Sequence, residues 1–205
     1  MQRLAVAVLA LGLAPLASAA TSSWEIDPAH SQVNFKVRHM MISNVEGKLG
    51  ALTGTIQFDD KAPAKSTVEA QIDVTGINTG NDKRDGHLKS PDFFDVAKFP
   101  SATFKSTKIQ KSGKGKFKVT GDLTLHGVTK PVVLAVEGPS AAMKDPFGAT
   151  RRAFSATGKI NRKDFGLTWN KALEGGGFLV GDEVTLDISV EAIEKPAAPA
   201  APAAK

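Results

Sequence analysis

The chain has 205 residues, of which 41% are hydrophobic and 23% are charged, and its formal net charge is +5. It contains no cysteine, which excludes a disulfide framework and a cysteine-linked lipid anchor. The positive excess weakly favours an anionic ligand or surface, but the lysines are spread along alternate strand positions without stacking aromatic residues, which argues against nucleic-acid binding.

Residues 1–19 have the pattern of a secretory signal peptide. Arg3 gives a basic start, an apolar run covers residues 4–13, and Ala17-Ser18-Ala19 is a small-residue cleavage sequence. The run is too short for a transmembrane helix, which needs about 20 apolar residues. We predict export to the periplasm, cleavage after Ala19 (or, alternatively, Ala20), and no transmembrane segment in the mature chain. Loss of Arg3 leaves 25 basic against 21 acidic residues, a net charge of +4.

Eight stretches alternate between apolar and polar residues with a period of two, which is typical of strands with one buried face. They cover residues 32–39, 52–58, 68–74, 102–107, 116–125, 132–136, 154–160 and 183–192. Turn-forming pairs such as Asp59-Asp60 and His126-Gly127 connect them, and the later connections are too short for crossover helices, so the predicted sheet is antiparallel. About eight such strands suit either a closed barrel or a sandwich.

Several predicted strands carry a small residue where a large one would complete the apolar face. These positions are Gly54, Ala70, Gly121, Ala156 and Gly158. Small residues around a barrel axis leave room for a guest. The alternative is that the glycines only allow the strands to bend. The pattern favours the interpretation that these small residues surround a lumen over the interpretation that the glycines only allow bends.

Residues 81–100 form an unusually long connection between two predicted strands. A charged part around Arg84, Asp85 and His87 is followed by Phe93, Phe94 and Phe99. Most connections in compact domains have about 4 to 6 residues, and longer ones are commonly lids, binding loops or disordered segments. Because three phenylalanines bring apolar surface to bury, we predict an ordered cap.

The C-terminal residues 195–205 are a proline and alanine tract that cannot form a packed core. We predict a disordered tail there. The remaining residues 20–194 fit one domain of the size that single β-barrels and sandwiches commonly have.

Placed on these strands, the motifs resemble the YceI-like family of exported, lipocalin-shaped proteins. The resemblance rests on five blocks, which are WEIDPAHSQVNFKVRHMMISNVEGKLGALTGTIQFD from Trp24 to Asp59, RDGHL and FFDVAKFPSATF of the cap, LTLHGVTKPVVL from Leu123 to Leu134, and INRKDFGLTWN from Ile160 to Asn170. It implies an all-β fold, an antiparallel lipocalin-like barrel of about eight strands with a short helical or loop cap. It also implies a long apolar ligand in a central cavity, with no catalysis and no cofactor or metal.

The implied ligand is a polyisoprenoid, an isoprenoid quinone or a fatty-acid-derived amide, held by a periplasmic carrier or reservoir. An apolar chain is bound mainly through desolvation, so the lining must be aliphatic and aromatic. The predicted apolar lining consists of Val33, Phe35, Val37, Leu52, Ile56, Val68, Ile72, Leu88, Phe93, Phe94, Phe99, Phe104, Phe117, Val119, Leu123, Phe154, Ile160, Val184, Leu186 and Ile188. Phe165 and Trp169 are predicted to close one end of the lumen.

A polar head group needs cationic or imidazole donors at the rim of the tube. Arg38, His39, Arg84 and His87 are the predicted set, with Arg162 and Lys163 in reserve. For His39 a buried imidazole bonded to a backbone carbonyl is an equal alternative. For Arg84 an ion pair with Asp82 or Asp85 is the favoured alternative.

Two other classes of function remain open. A periplasmic interaction or stress-response module, acting with a membrane redox or envelope component, would use an exposed edge or the tail. A hydrolase ranks last, because the spacing of the histidines and aspartates matches no zinc motif and no nucleophile elbow. A homodimer is compatible with each function.

Overall fold

The computed structural model describes residues 21–196, which form an antiparallel β-barrel with one α-helix. The predicted signal peptide and almost all of the predicted tail lie outside the described residues. The strands are β1 (Ser22–Ile26), β2 (Gln32–His39), β3 (Ser43–Lys48), β4 (Leu52–Phe58), β5 (Thr67–Asp73), β6 (Ser101–Gly113), β7 (Lys116–Leu125), β8 (Val128–Glu137), β9 (Met143–Lys144), β10 (Thr150–Asn161) and β11 (Val180–Lys195). The helix is α1 (Asp82–Lys89), and short 3₁₀ helices cover Pro63–Lys65 and Arg162–Phe165.

Eight strands close the barrel in the order β11, β1, β4, β5, β6, β7, β8, β10 and back to β11. Pairing of β10 with β11, from Arg151–Ile193 to Asn161–Glu183, completes the ring. The predicted fold, an all-β antiparallel barrel with a short helical cap, is therefore confirmed. Within residues 21–196, no helix is long and apolar enough to cross a membrane.

The eight predicted strands all exist, but only seven of them belong to the ring, because β2 lies outside it. β10 pairs with one edge of β11. β2 and β1 both pair with its other edge, where β2 lies beside Val180–Ser189 of β11 and β1 beside Ala192–Lys195 of β11. The unpredicted strand β1 thus completes the ring next to β4, while β2 continues outward into the hairpin with β3.

The core lies between the inner faces of the strands. Trp24, Val33, Val74 and Phe165 are among its most buried side chains. β11 extends to Lys195, which pairs with Ser23, one residue past the predicted end of the domain.

Candidate functional site

A cavity of about 130 Å³ lies inside the barrel. Eight strands of the barrel and β2 contribute to its lining, and none of its lining residues carries a charge. Its lining includes Leu52 to Phe58 of β4, Val68 to Ile72 of β5, and Phe117 of β7. Such a cavity can retain an apolar guest because it offers no competing polar groups beyond two serines, Ser66 and Ser155.

Ten residues predicted as lining do face this cavity, whereas the predicted Ile160 and Val184 do not. The ten are Val33, Leu52, Ile56, Val68, Ile72, Phe104, Phe117, Val119, Phe154 and Ile188. They share one face of the sheet, as the period of two predicted.

Other predicted lining residues lie elsewhere in the barrel. Phe35 and Leu186 line an open groove with polar neighbours such as Asn34 and Lys48. Leu123 is buried in the core without lining the cavity. Val37, at the outer part of β2, pairs with Val45 of β3, also away from the cavity.

The sequence interpretation missed part of the lining. The missed residues are Ile26, Phe58, Ile109, Leu134, Val136 and Val190, with Ser66 and Ser155. Phe58 and Val190 are in phase with predicted lining residues of their strands, and Leu134 and Val136 lie on the apolar face predicted for β8. These four could have been found by extending the lining along each face. Ile109 could not, because the register of β6 shifts between Ser106 and Lys108, and a bulge there reverses the alternation.

The small residues on the inner faces have two different roles. Ala70 and Ala156 line the cavity, as the lumen interpretation predicted. Gly54 has a φ of 145°, and a Cβ there would lie 2.1 Å from the Glu69 carbonyl oxygen, so it permits close strand contact. At Gly158 the space of a side chain is taken by Leu134, whose Cδ2 would lie 2.6 Å from a Cβ. Only the alanines among these provide room for a guest.

Helix α1 and the segment after it form the ordered cap that was predicted. Asn81 caps the helix by accepting a hydrogen bond from the Arg84 amide at 3.1 Å. The His87 ring lies 5.0 Å from Phe93 and 4.7 Å from Trp169, and His87 Nε2 lies 2.8 Å from Asp92 Oδ2. This aromatic cluster joins the cap to the segment that follows β10.

The cap closes one end of the barrel without lining the cavity. Phe99 contacts the ring of His126 at 4.7 Å, and His126 Nδ1 lies 3.2 Å from the Phe165 carbonyl oxygen. Phe165 is 1% exposed, so it is core rather than rim. Leu88 and Phe94 are half-buried in the cap. None of these residues lines the cavity.

The predicted cationic residues are engaged with the protein's own backbone and hydroxyl groups. Arg84 donates from Nε to Thr79 Oγ1 at 2.7 Å and from Nη2 to the Thr79 carbonyl at 2.9 Å. The alternative ion pair with Asp82 or Asp85 is therefore not its arrangement. Buried Asp85 instead accepts from the Thr79 amide at 2.9 Å. These hydrogen bonds connect Arg84 in α1 to Thr79 and thereby stabilise the start of the cap.

Arg38 and His39 lie at the end of β2, away from the cavity. Arg38 donates to the Met41 carbonyl from Nε at 3.1 Å and from Nη2 at 3.0 Å. His39 is half-buried and pairs through its backbone with Val180 and Ser43. Arg84 and His87 thus belong to the cap, whereas Arg38 and His39 are the last two residues of β2.

Arg162 is 4% exposed, and its guanidinium donates hydrogen bonds to several backbone carbonyl groups. It donates to the carbonyl oxygens of Gly181 at 2.9 Å and Trp169 at 2.9 Å, and to that of Leu167. Burial lowers the pKa of its guanidinium. Arg162 thereby ties the loop after β10 to the start of β11, while Lys163 is exposed and pairs with Asp182 at 2.9 Å.

Asp27, His30 and Glu191 are close enough to one another to hold a metal ion. Arg151 occupies this cluster, with Nη1 2.7 Å from Asp27 Oδ2 and 2.7 Å from Glu191 Oε1. The Arg151 hydrogen bond, followed by that of His30, lowers the pKa of Asp27 to about 2. A guanidinium that already neutralises two carboxylates disfavours a further cation, so the residues fit an ion-pair network better than a metal site.

The profile of the YceI-like domain matches residues 24–192. The chain belongs to the YceI-like family. It is 39% identical to the protein YceI of Escherichia coli O6:H1 over 180 residues, 87% of this chain and 90% of that protein.

Two of the solved structures that superpose on this chain show the same barrel fold. Burkholderia cenocepacia BcnA superposes with a TM-score of 0.69 at 26% identity, covering 81% of this chain and 98% of BcnA. A polyisoprenoid binding domain from Saccharophagus degradans, implicated in plant cell wall breakdown, superposes with a TM-score of 0.61. Its 18% identity, over 84% of this chain and 98% of that domain, is evidence for the fold.

Proposed function

We propose that this protein binds a long apolar lipid in the barrel and acts as a periplasmic carrier or reservoir without catalytic activity. The uncharged cavity carries the proposal, since its lining is apolar apart from Ser66 and Ser155. Burial of an apolar chain contributes about 25 cal/mol per Å² of surface removed from water. The polyisoprenoid binding domain with the same fold supports a polyisoprenoid or a related chain as ligand.

The size of the cavity sets a condition on binding. An apolar cavity of about 150 Å³ holds a guest of the size of benzene, so a cavity of about 130 Å³ takes only a short part of a lipid chain. Loading a longer chain requires the side chains of Phe104, Phe117 or Phe154 to turn away from the axis. Binding is therefore expected to be accompanied by movement of the lining phenylalanines.

Native mass spectrometry of the protein from its own compartment, without detergent, tests the proposal directly. A bound mass that organic extraction releases as a long apolar molecule is expected. Empty protein that also fails to take up added polyprenyl lipid would refute lipid binding. Co-purification of the empty protein with a membrane protein would favour the interaction module instead.

Matched variants test where the lipid lies. Ala156→Leu adds three carbons to the cavity wall, whereas Ala135→Leu adds them to the exposed outer face of β8. We expect Ala156→Leu to reduce lipid uptake by about ten-fold, because the added side chain takes space from the guest. Equal uptake by both variants would place the lipid outside the cavity.

Export forms a separate part of the proposal. N-terminal sequencing of the protein from a periplasmic extract is expected to begin at Ala20, or at Thr21 for the alternative cleavage. An intact Met1 in that protein would contradict processing.

A further inference from the structure

Arg152 is an arginine on the inner face of the barrel. It pairs with Ala192, which is 0% exposed, and it lies in phase with Phe154 and Ala156 along β10. Its guanidinium carbon is 5.1 Å from the centroid of the Trp24 ring and 5.8 Å from that of Phe58. A cation in this position is held by aromatic faces at the edge of an otherwise apolar interior.

The hydrogen bonds of Arg152 leave part of its guanidinium unused. Nη1 donates to Asp60 Oδ1 at 3.0 Å. Nε is buried and has no hydrogen-bond partner among residues 21–196, the only such buried side-chain atom there. A buried donor without a partner is costly, and an arginine offers five N–H groups in a fixed planar fork.

The partner of Arg152 is easily replaced. The Asp60 side chain is 61% exposed, whereas that of Arg152 is 16% exposed. An ion pair with so exposed a carboxylate contributes little to stability. An incoming anion can therefore replace Asp60 or bind beside it at small cost.

Arg152 lies next to the cavity at the end of the barrel opposite the cap. Phe58 and Phe154 both line the cavity, and their ring centroids are 6.1 Å apart. Arg152 contacts Phe58 and is two residues nearer the start of β10 than Phe154. The cap lies at the other end of β10, where Arg162 binds the Trp169 carbonyl and Trp169 packs on His87.

We infer that Arg152 binds the anionic head group of the lipid, a carboxylate or a phosphate, while the chain enters the cavity past Phe58 and Phe154, whose contacting rings must move apart. This inference rests on the proposed function, because it assigns the head group of the same ligand. The Nε and Nη2 edge of the guanidinium matches the two oxygens of either anion. This site lies at the end of the barrel opposite the cap, whereas the sequence analysis placed the head group at the cap, near Arg84 and His87.

Binding of three dodecyl ligands to the mature protein tests the assignment. Dodecanoate, dodecyl phosphate and dodecanol share one chain and differ in the head group. We expect the wild type to bind at least one anion about ten-fold more tightly than the alcohol, because a charge-assisted pair is stronger than a neutral one. Preference for dodecanoate or for dodecyl phosphate distinguishes the two head groups.

Arg152→Met keeps an unbranched side chain on Trp24 and Phe58 but removes the charge. We expect it to bind dodecanol within about two-fold of the wild type and to lose the preference for anions. Lys159→Met removes a charge from an exposed ion pair with Glu183 and serves as the matched control, which is expected to keep that preference. A preference that persists in Arg152→Met would overturn the assignment of Arg152.

Asp60→Asn tests the same site without disturbing the core. Removal of the competing carboxylate is expected to raise anion affinity about three-fold or more and to leave dodecanol binding unchanged. No change in anion affinity would contradict the proposal that the anion replaces Asp60 on Arg152. If the wild type binds none of the three ligands and no polyprenyl lipid, the proposed function itself fails. If it binds all of them equally, only the role of Arg152 fails.

Discussion

Phe104 lies so close to Gly121 on the neighbouring strand that a Cβ at Gly121 would be 2.4 Å from Phe104 Cζ. The carbonyl oxygen of Lys105 would be 2.6 Å from the same Cβ. The glycine thus leaves space that the Phe104 ring already fills. Because Phe104 also lines the cavity, this contact sets how far the ring stands from the barrel axis.

Gly121→Ala is expected to destabilise the protein by about 1–3 kcal/mol, because both a ring and a backbone oxygen would have to move. Urea unfolding measures the change. Gly86→Ala is the control, since Gly86 lies in α1 with nothing within 4 Å of an added Cβ. That substitution should stabilise by up to about 1 kcal/mol through helix propensity. A neutral Gly121→Ala would show that Phe104 is free to shift.

The alternation of apolar and polar residues predicted the fold well because it depends only on which face is buried. It placed Val33, Ile56 and Phe117 on the face that surrounds the cavity. It did not predict β1, since Ser22–Ile26 offers only Trp24 and Ile26 as an apolar face. A pairing between distant parts of the chain, here of β1 with β11, leaves no local signal.

The positions of polar groups were harder to predict than those of apolar ones. Arg84 was predicted to bind a head group or to pair with an aspartate. Its guanidinium instead donates hydrogen bonds to Thr79, a contact that depends on the path of the loop before α1. Arg152 was overlooked because the predicted strand began at Phe154. An extension of that strand by two residues would have placed an arginine on the inner face.

Arg162→Met is expected to destabilise the protein by about 3 kcal/mol or more. The side chain serves the carbonyl oxygens of Gly181, Leu167 and Trp169, and the methionine would leave these groups unpaired. Lys163→Met is the matched neighbour, since its ion pair with Asp182 is exposed and should contribute less than about 1 kcal/mol. Thermal unfolding compares the two, and equal shifts would refute a structural role for Arg162.

Replacement of His39 and His87 by glutamine should leave lipid uptake nearly unchanged, because neither residue lines the cavity. The double variant is expected to lose some stability, since His87 packs against both Phe93 and Trp169. Native mass spectrometry measures the lipid uptake of the double variant. Ala156→Leu serves as the comparison variant with impaired uptake. Strong loss of lipid in the double variant would indicate that the head group binds at the cap. A hydrolytic activity that this change abolishes would favour an enzyme.

Asp27 is expected to make the protein sensitive to acid. Its folded-state pKa of about 2 is below the ordinary value of 3.8, chiefly because Arg151 donates a hydrogen bond to it. A group whose pKa is lowered by folding adds stability above its ordinary pKa, and that stability is lost as the pH falls toward the folded value. The contribution of Asp27 should therefore be complete above about pH 4 and decline between about pH 4 and pH 2.

Asp27→Asn should lower the free energy of unfolding at pH 7 and make its decline between pH 4 and pH 2 less steep. Urea unfolding at several pH values measures both effects. Asp187→Asn, on an exposed position of β11, is the control and should keep the decline of the wild type. If Asp27→Asn were as stable as the wild type at pH 7 and equally sensitive to acid, the Asp27–Arg151 pair would add nothing to folding, and the cluster with Glu191 would then need another explanation.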